Sequence, residues 1–180
     1  MMKMNNILVI IPTYNEIENI SKIINAVFNT DLSIDVLIVD DLSPDGTGEE
    51  VRKLMKIFSN SLFLETKLEK QGLGAAYVHG FRWALKRKYD YIFEMDADFS
   101  HQPMELKSMI KILDSEADVV VGSRYINGVN VVNWPLSRVL LSYFASLYVQ
   151  IITSMPIKDA TAGFVGYKMS VLKTINLDQI

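Results

Sequence analysis

Short apolar runs of strand length, Ile7–Ile11, Val36–Val39, Leu62–Leu64, Tyr91–Met95 and Val119–Val121, alternate with longer segments whose apolar positions recur at helical spacing. The helical segments fall at about Ile17–Phe28, Thr47–Phe58, Gly72–Lys88, Met104–Leu113 and Pro135–Thr153. Pro103 stands where a first-turn proline belongs, since that position has no use for a backbone N–H. Parallel strands need a crossover connection, so this alternation predicts an α/β fold with an open, mostly parallel sheet flanked by helices. A chain of 180 residues with 49% hydrophobic content suits one substantial core, and residues 1–180 read as one domain.

The polar clusters fall at particular places in this pattern. Pro12 to Glu16 follows the first strand, Asp40 to Thr47 the second, Asp96 to His101 the fourth and Gly122 to Tyr125 the fifth. All four lie at carboxyl ends, the edge of an open parallel sheet where ligands bind. Turn chemistry accounts for Pro44, Asp45 and Gly46, with Thr47 as a helix cap. It does not account for the pair Asp40-Asp41, or for an arginine beside a strand end in Gly122-Ser123-Arg124-Tyr125.

The fourth cluster carries the sharpest chemistry. Tyr91 to Met95 ends in Asp96-Ala97-Asp98, and no Lys or Arg stands between Met95 and Gln102. Two ionised carboxylates held about 4 Å apart repel by roughly 4 kcal/mol at an effective dielectric near 20. A hard cation removes that cost: Mg²⁺ or Mn²⁺ takes one or two carboxylates, keeps water elsewhere and bridges to substrate phosphates. A D-x-D alone is more often a solvated acidic turn capping the next helix, so the remaining clusters have to decide.

Composition narrows the field. A net charge of −3 lacks the basic stripe that neutralises nucleic-acid phosphates. With no cysteines, a disulfide framework and a Cys-based zinc site are both excluded, and a reducing compartment fits. The apolar run near the amino terminus is shorter than that of a secretory signal and reads as a core strand. No window reaches the ~18 consecutive apolar residues of a spanning helix; Val139 to Ile152 is broken by Ser142, Ser146 and Gln150.

Two rival motifs fail. Asp96, Asp98 and Ser100 open like a calcium loop, but His101 replaces the required Gly and Lys107 the bidentate Glu. Gly72-Leu73-Gly74 begins a dinucleotide fingerprint, yet Tyr77 stands at its third small position and the segment follows the third strand. Lys86-Arg87-Lys88 reads as a helix end complementing the C-terminal dipole rather than a phosphate patch. Of the two histidines, His79 reads as a helix-face residue, while His101 neighbours the carboxylates.

Taken together, Pro12-Thr13-Tyr14-Asn15-Glu16, Asp40 to Thr47, Lys70-Gln71-Gly72-Leu73-Gly74, Asp96-Ala97-Asp98 and Gly122 to Tyr125 resemble the family-2, GT-A-fold (Rossmann-like) glycosyltransferases. Their order and wording look most like the polyprenol-phosphate (dolichol-phosphate) mannose synthases. By that resemblance Pro12, Tyr14 and Glu16 line the guanosine pocket of GDP-mannose, and Val39 and Asp41 hold base and ribose. Asp96 and Asp98 bind the Mg²⁺ or Mn²⁺ that bridges the diphosphate, Ala97 contributes backbone, and Ser100, where some relatives carry Gln, is the third candidate ligand. Arg124 meets phosphate; Arg138 and Ser142 face a polyprenyl phosphate acceptor. Asp159 to Phe164 resembles the acceptor-side motif. The family continues beyond Ile180 through another strand and an interface helix, so the chain reads as truncated at its C-terminus.

The implied reaction suits these residues. A sugar leaving a nucleotide diphosphate leaves negative charge on the β-phosphate, which a divalent ion stabilises. An acceptor phosphomonoester has its second pKa near 6 and arrives mostly ionised at neutral pH, so no strong general base is required. Direct displacement with inversion follows as the expectation, Asp96, Asp98 and Arg124 carrying it. Trp134 to Met155 reads equally as an interfacial helix beside a lipid phosphate or as a core helix. The resemblance places the protein at the cytoplasmic face of a membrane, in peripheral contact with it. A related transferase using UDP-glucose or another donor or acceptor, and a non-catalytic nucleotide-binding module, remain the alternatives.

Overall fold

The computed structural model describes residues 6–123 and 136–179. Its strands are β1 (Ile7–Thr13), β2 (Ile34–Asp40), β3 (Leu62–Thr66), β4 (Tyr91–Glu94), β5 (Val119–Val121) and β6 (Val165–Lys168). They form one sheet in the order β3-β2-β1-β4-β6-β5. The first four are mutually parallel; β6 runs antiparallel to both β4 and β5. The helices are α1 (Ile20–Phe28), α2 (Thr47–Leu54), α3 (Leu73–Leu85), α4 (Leu106–Ser115), α5 (Leu136–Thr153) and α6 (Met169–Leu172), with a 3₁₀ turn over Pro103–Glu105.

The apolar run of β1 is continuous because both its faces are covered, as expected of a central parallel strand. Ile7, Val9 and Ile11 pack toward α1, α2 and α4, in one cluster with Ile20, Ile23, Ile24, Val51 and Leu106. Leu8 and Ile10 pack on the opposite face with Ala76, Phe81 and Ala84 of α3 and with Met169 and Leu172 of α6. Each such fully buried aliphatic side chain contributes about 1.5–3 kcal/mol relative to exposure. Helix α3 approaches β1 closely because Gly80 has no side chain; a Cβ there would meet Ile10 Cγ2 at 2.6 Å.

The predicted α/β architecture is therefore observed, with shifts at element ends. Residues 17–19 form a turn, in which Asn19 N–H and Ile20 N–H both donate to Glu16 O, so α1 begins at Ile20 rather than at Ile17. Past Leu54, α2 loosens into turns up to Phe58. Strand β6 and the short helix α6 are elements that sequence pattern does not reveal; Val165-Gly166-Tyr167-Lys168 is only four residues long with a glycine inside. The strand is held by its partners instead, pairing with β4 from Tyr91↔Lys168 to Glu94↔Val165.

Candidate active site

Because β5 is antiparallel to the antiparallel β6, it points the same way as β1, β2 and β4, and the first three clusters emerge at one sheet edge together with Gly122 and Ser123, the described part of the fourth. A cleft of about 320 Å³ opens there. Pro12, Tyr14, Glu16 and Asp41 line one wall, and Asp96, Ala97 and Asp98 another. Every described residue expected to meet the nucleotide sugar lines this cleft except Val39, which is fully buried on the α3 side of β2, paired with Pro12 across the sheet. Arg124 lies outside the described residues, and of Arg138 only its place in α5 is described.

Asp40 and Asp41, unexplained by turn chemistry, divide the work of holding the walls. The Asp40 carboxylate accepts hydrogen bonds from Thr13 Oγ1 at 3.0 Å and from Ser43 N–H at 3.1 Å, tying the ends of β1 and β2 together. Asp45 accepts from Thr47 N–H and from Ile17 N–H, and Thr47 Oγ1 accepts from Glu16 N–H. The N-cap of α2 is Gly46 in left-handed backbone, the preceding Asp45 takes up the Thr47 N–H, and Thr47 is the first helical residue, a correction to the expected Thr47 cap. Burial favours the protonated form of Asp45, but Thr47 and the amide donors outweigh it and hold the carboxyl below its usual range.

Asp41 is 4% exposed and its carboxylate is already engaged. Lys67 Nζ stands 3.0 Å from one oxygen; Gln71 N–H donates at 3.2 Å and Gly72 N–H at 2.9 Å. Burial raises its pKa, yet Lys67 and the two amides more than reverse this, leaving it lowered. Asp41 therefore fixes the β3–α3 connection, from which Lys70 and Gly72 reach the cleft beside Leu73 and Ala76 of α3. Lys70 places its ammonium 3.5 Å from the centre of the Tyr14 ring, a cation–π contact across the opening.

Asp96 and Asp98 leave β4 two residues apart with different surroundings. Asp96 is half-buried: Tyr77 Oη donates to its Oδ1 at 3.1 Å, and Gly163 lies so close that a Cβ there would stand 2.0 Å from Oδ2. Asp98 is exposed at the cleft rim, its Oδ1 accepting from Ser100 N–H at 2.9 Å and from the Ser100 hydroxyl. Phe99 between them has φ 58°, and Asn15 and Leu42 in the facing loops have φ 59° and 62°. Left-handed backbone at a non-glycine residue costs about 1–3 kcal/mol, and such strain gathers at binding sites. Two carboxylates on a cleft rim fit a hard divalent ion that completes its shell with water and phosphate oxygens. Among the described residues no group of three His, Asp or Glu side chains forms a self-sufficient cage, and Ser100 stands as an oxygen donor beside Asp98.

Behind Asp96, Glu94 faces the interior. Burial pushes its carboxyl up to about 7, the Tyr167 hydroxyl at 3.3 Å pulls it down, and the charge of Asp96 adds to the rise. Its folded pKa exceeds its unfolded value, so the native state binds the extra proton between about pH 4.3 and 7 and the stabilisation is lost as pH rises through 7. We expect the metal-free protein to lose melting temperature between pH 5 and 8, and Glu94→Gln to flatten that slope; equal slopes for both proteins would contradict the assignment.

Among the residues expected to face the acceptor, Ser142 Oγ of α5 lies 2.8 Å from Thr161 Oγ1, and the buried Asp159 accepts from Thr161 N–H at 3.3 Å. The expected motif and helix are in contact. Within residues 1–180 helix α5 leaves apolar side chains uncovered: Leu141 is 73%, Tyr148 66% and Ile151 69% exposed. His101 is buried with its ring against Phe164, and His79 lies on α3 with Nε2 3.2 Å from Glu65, both histidines outside the cleft wall. Lys86 caps α3, and Arg87 stacks over Trp83 and donates to Trp83 O, as a helix end should. Sequence reading missed Lys67 and Tyr77 as site residues. Tyr77 was visible only as the residue spoiling a dinucleotide motif, and Lys67 carries no motif signal.

The model of the family described as "Glycosyl transferase family 2" matches residues 8–175. Among curated relatives, the polyprenol monophosphomannose synthase of Mycolicibacterium smegmatis is 43% identical over 173 residues, covering 96% of this chain and 65% of its own. The undecaprenyl-phosphate mannosyltransferase of Micrococcus luteus is 43% identical, covering 97% of this chain and 71% of its own. The dolichol-phosphate mannosyltransferase of Pyrococcus furiosus is 34% identical, with 96% and 49% covered. The chain thus spans from about half to seven-tenths of these relatives' lengths. Among solved structures, a mannosyltransferase from Pyrobaculum calidifontis in complex with GDP-Man and Mn²⁺ superposes with a TM-score of 0.69 at 20% identity, covering 97% of this chain and 48% of that one. Glucosyl-3-phosphoglycerate synthase from Mycobacterium tuberculosis, with Mn²⁺ and UDP, gives 0.69 at 16% identity, covering 95% and 59%. At these identities the likeness speaks to the fold, which is the mostly parallel sheet described above. The family match over nearly the whole chain, with relatives at 43% identity, leads to one conclusion: the chain belongs to glycosyl transferase family 2.

Proposed function

We propose that the protein transfers mannose from GDP-mannose to a polyprenyl phosphate, with inversion, in a reaction that depends on Mg²⁺ or Mn²⁺. The observation that carries this is the exposed Asp98 beside the held Asp96, facing Pro12, Tyr14, Glu16 and Asp41 across one cleft. The names of three relatives, and the GDP-Man and Mn²⁺ in one structural neighbour, support the donor, acceptor and ion class.

In this reading Pro12, Tyr14 and Glu16 hold the guanosine, and Asp41 fixes the loop beneath it. Asp96 and Asp98, with Ser100 beside them, hold the ion at the diphosphate. That ion supplies Lewis-acid stabilisation of the charge left on the departing nucleotide. Arg124 and Arg138 meet phosphate, since a guanidinium fork binds phosphate oxygens in bidentate fashion. The exposed apolar surface of α5 lies against the membrane interface at its cytoplasmic face, bringing Ser142 and Thr161 to the lipid phosphate. Among the described residues no helix is long and apolar enough to cross a membrane. Residues 1–180 are read as a single GT-A glycosyltransferase domain, truncated at its C-terminus relative to the family.

Thermal melting with GDP, UDP, CDP or ADP, each with Mn²⁺, Mg²⁺ or EDTA, tests the donor reading. A ligand at 100 times its Kd stabilises by about 2.7 kcal/mol, and each kcal/mol raises Tm by about 2–4 °C in a domain of this size. We expect GDP with Mn²⁺ or Mg²⁺ to give the largest rise and EDTA to remove most of it. A larger rise with UDP would replace the guanosine assignment. Transfer should also accelerate with pH through about 6 and then level, as the acceptor phosphate ionises; a rate still climbing at pH 8 would instead require a base on the protein.

A further inference from the structure

We propose that Tyr77 and Gly163 are positioning residues that together fix the orientation of the Asp96 carboxylate for the metal ion, an inference that rests on the reading of Asp96 as a metal ligand. Tyr77 is 8% exposed, on the buried face of α3. Its hydroxyl donates to Asp96 Oδ1 at 3.1 Å, while Asp96 itself lines the cleft. The other carboxylate oxygen, Oδ2, lies close against Gly163. A Cβ at Gly163 would stand 2.0 Å from Oδ2, 2.6 Å from Cγ and 2.9 Å from Oδ1, all inside any permitted contact. Asp96 thus sits between a hydrogen-bond donor carried by α3 and a residue that has to lack a side chain.

The two supports come from distant parts of the chain. Gly163 belongs to the segment whose Asp159 and Thr161 are tied to Ser142 of α5, among the residues expected to face the acceptor. Tyr77 is one turn into α3, whose preceding loop is held by Asp41. An exposed carboxylate samples several χ orientations, and a metal-ligating one loses affinity when it is free to turn. Partners that orient a ligand from behind typically change metal affinity about 10- to 100-fold when removed. Tyr77→Phe keeps the ring packed and removes only the donor; Gly163→Ala keeps the chain and pushes the carboxylate aside.

The test is Mn²⁺ binding to the purified protein by electron paramagnetic resonance, with GDP present, for the wild type, Tyr77→Phe, Gly163→Ala and Asp96→Asn. Melting temperature and GDP binding in EDTA are measured alongside. We expect Tyr77→Phe to weaken Mn²⁺ about 10-fold or more with GDP binding in EDTA unchanged, Gly163→Ala to weaken it further, and Asp96→Asn to lose it. Transfer by Tyr77→Phe should recover at saturating Mn²⁺, a rescue that a merely structural defect would not show. Wild-type Mn²⁺ affinity in a folded Tyr77→Phe, while Asp96→Asn has lost the ion, overturns the positioning role alone. Unchanged Mn²⁺ affinity in Asp96→Asn overturns the metal reading on which it rests. Should Gly163→Ala fail to fold, Tyr77→Phe decides by itself.

Discussion

Asp98→Asn is expected to abolish metal-dependent GDP binding and to slow transfer by on the order of 100- to 1,000-fold, because it removes one of two carboxylate charges from the rim of the cleft while keeping the side chain's shape. The loss should be chemical rather than structural. Asp98 is exposed, and an Asn Oδ1 can still accept from Ser100 N–H, so the turn with φ 58° at Phe99 keeps its support. Surface substitutions of this kind change stability by about 0.5 kcal/mol or less. Calorimetry of GDP with Mn²⁺, paired with a thermal melt, separates the two effects. A mutant that binds GDP and Mn²⁺ like the wild type would remove Asp98 from the ion's shell.

The second large effect is on the fold of the cleft. Asp41→Ala leaves Lys67, whose side chain is 7% exposed, as a buried cation without its carboxylate, and frees the amides of Gln71 and Gly72. Breaking a buried pair from one side costs about 3–5 kcal/mol, a large part of a domain's stability. Urea unfolding at pH 7 should show that loss, and Asp41→Ala combined with Lys67→Met should recover much of it, because the stranded charge is then gone. The sign of the pH effect follows from the lowered pKa of Asp41. Its contribution is present above the ordinary carboxylate value near 3.9 and disappears as pH falls through the folded value, so wild type and mutant should converge in acid. Additive losses in the double mutant would mean that the two side chains act independently.

The sheet and the placing of its loops were legible because they rest on periodicity. The runs Ile7–Ile11 and Val36–Val39 are buried on both sides and carry no polar interruption, so they mark strands whatever surrounds them. Strand β6 has no such run; its pairing with β4 depends on a glycine that lets Phe93 come close, a tertiary fact. The same division holds in the site. Asp96 and Asp98 announce themselves by charge at the end of an apolar strand. Tyr77 and Gly163, which contact Asp96, and Lys67, which pairs with Asp41, stand far from their partners in sequence and become visible only when the chain has folded. Asp41 pointed to the ligand through its position at a strand end, and its partners show that it also anchors the loop lining the cleft.

Transfer itself is measured most directly by incubating the protein with GDP-mannose labelled in the sugar, a polyprenyl phosphate in detergent or vesicles, and Mn²⁺ or Mg²⁺, followed by organic extraction. We expect label in the lipid phase as a mannosyl phosphate of inverted anomeric configuration, absent with EDTA and with Asp98→Asn. Label passed to a neutral sugar hydroxyl with the lipid phosphate ignored, or lipid labelled equally well in EDTA, would contradict the proposed reaction.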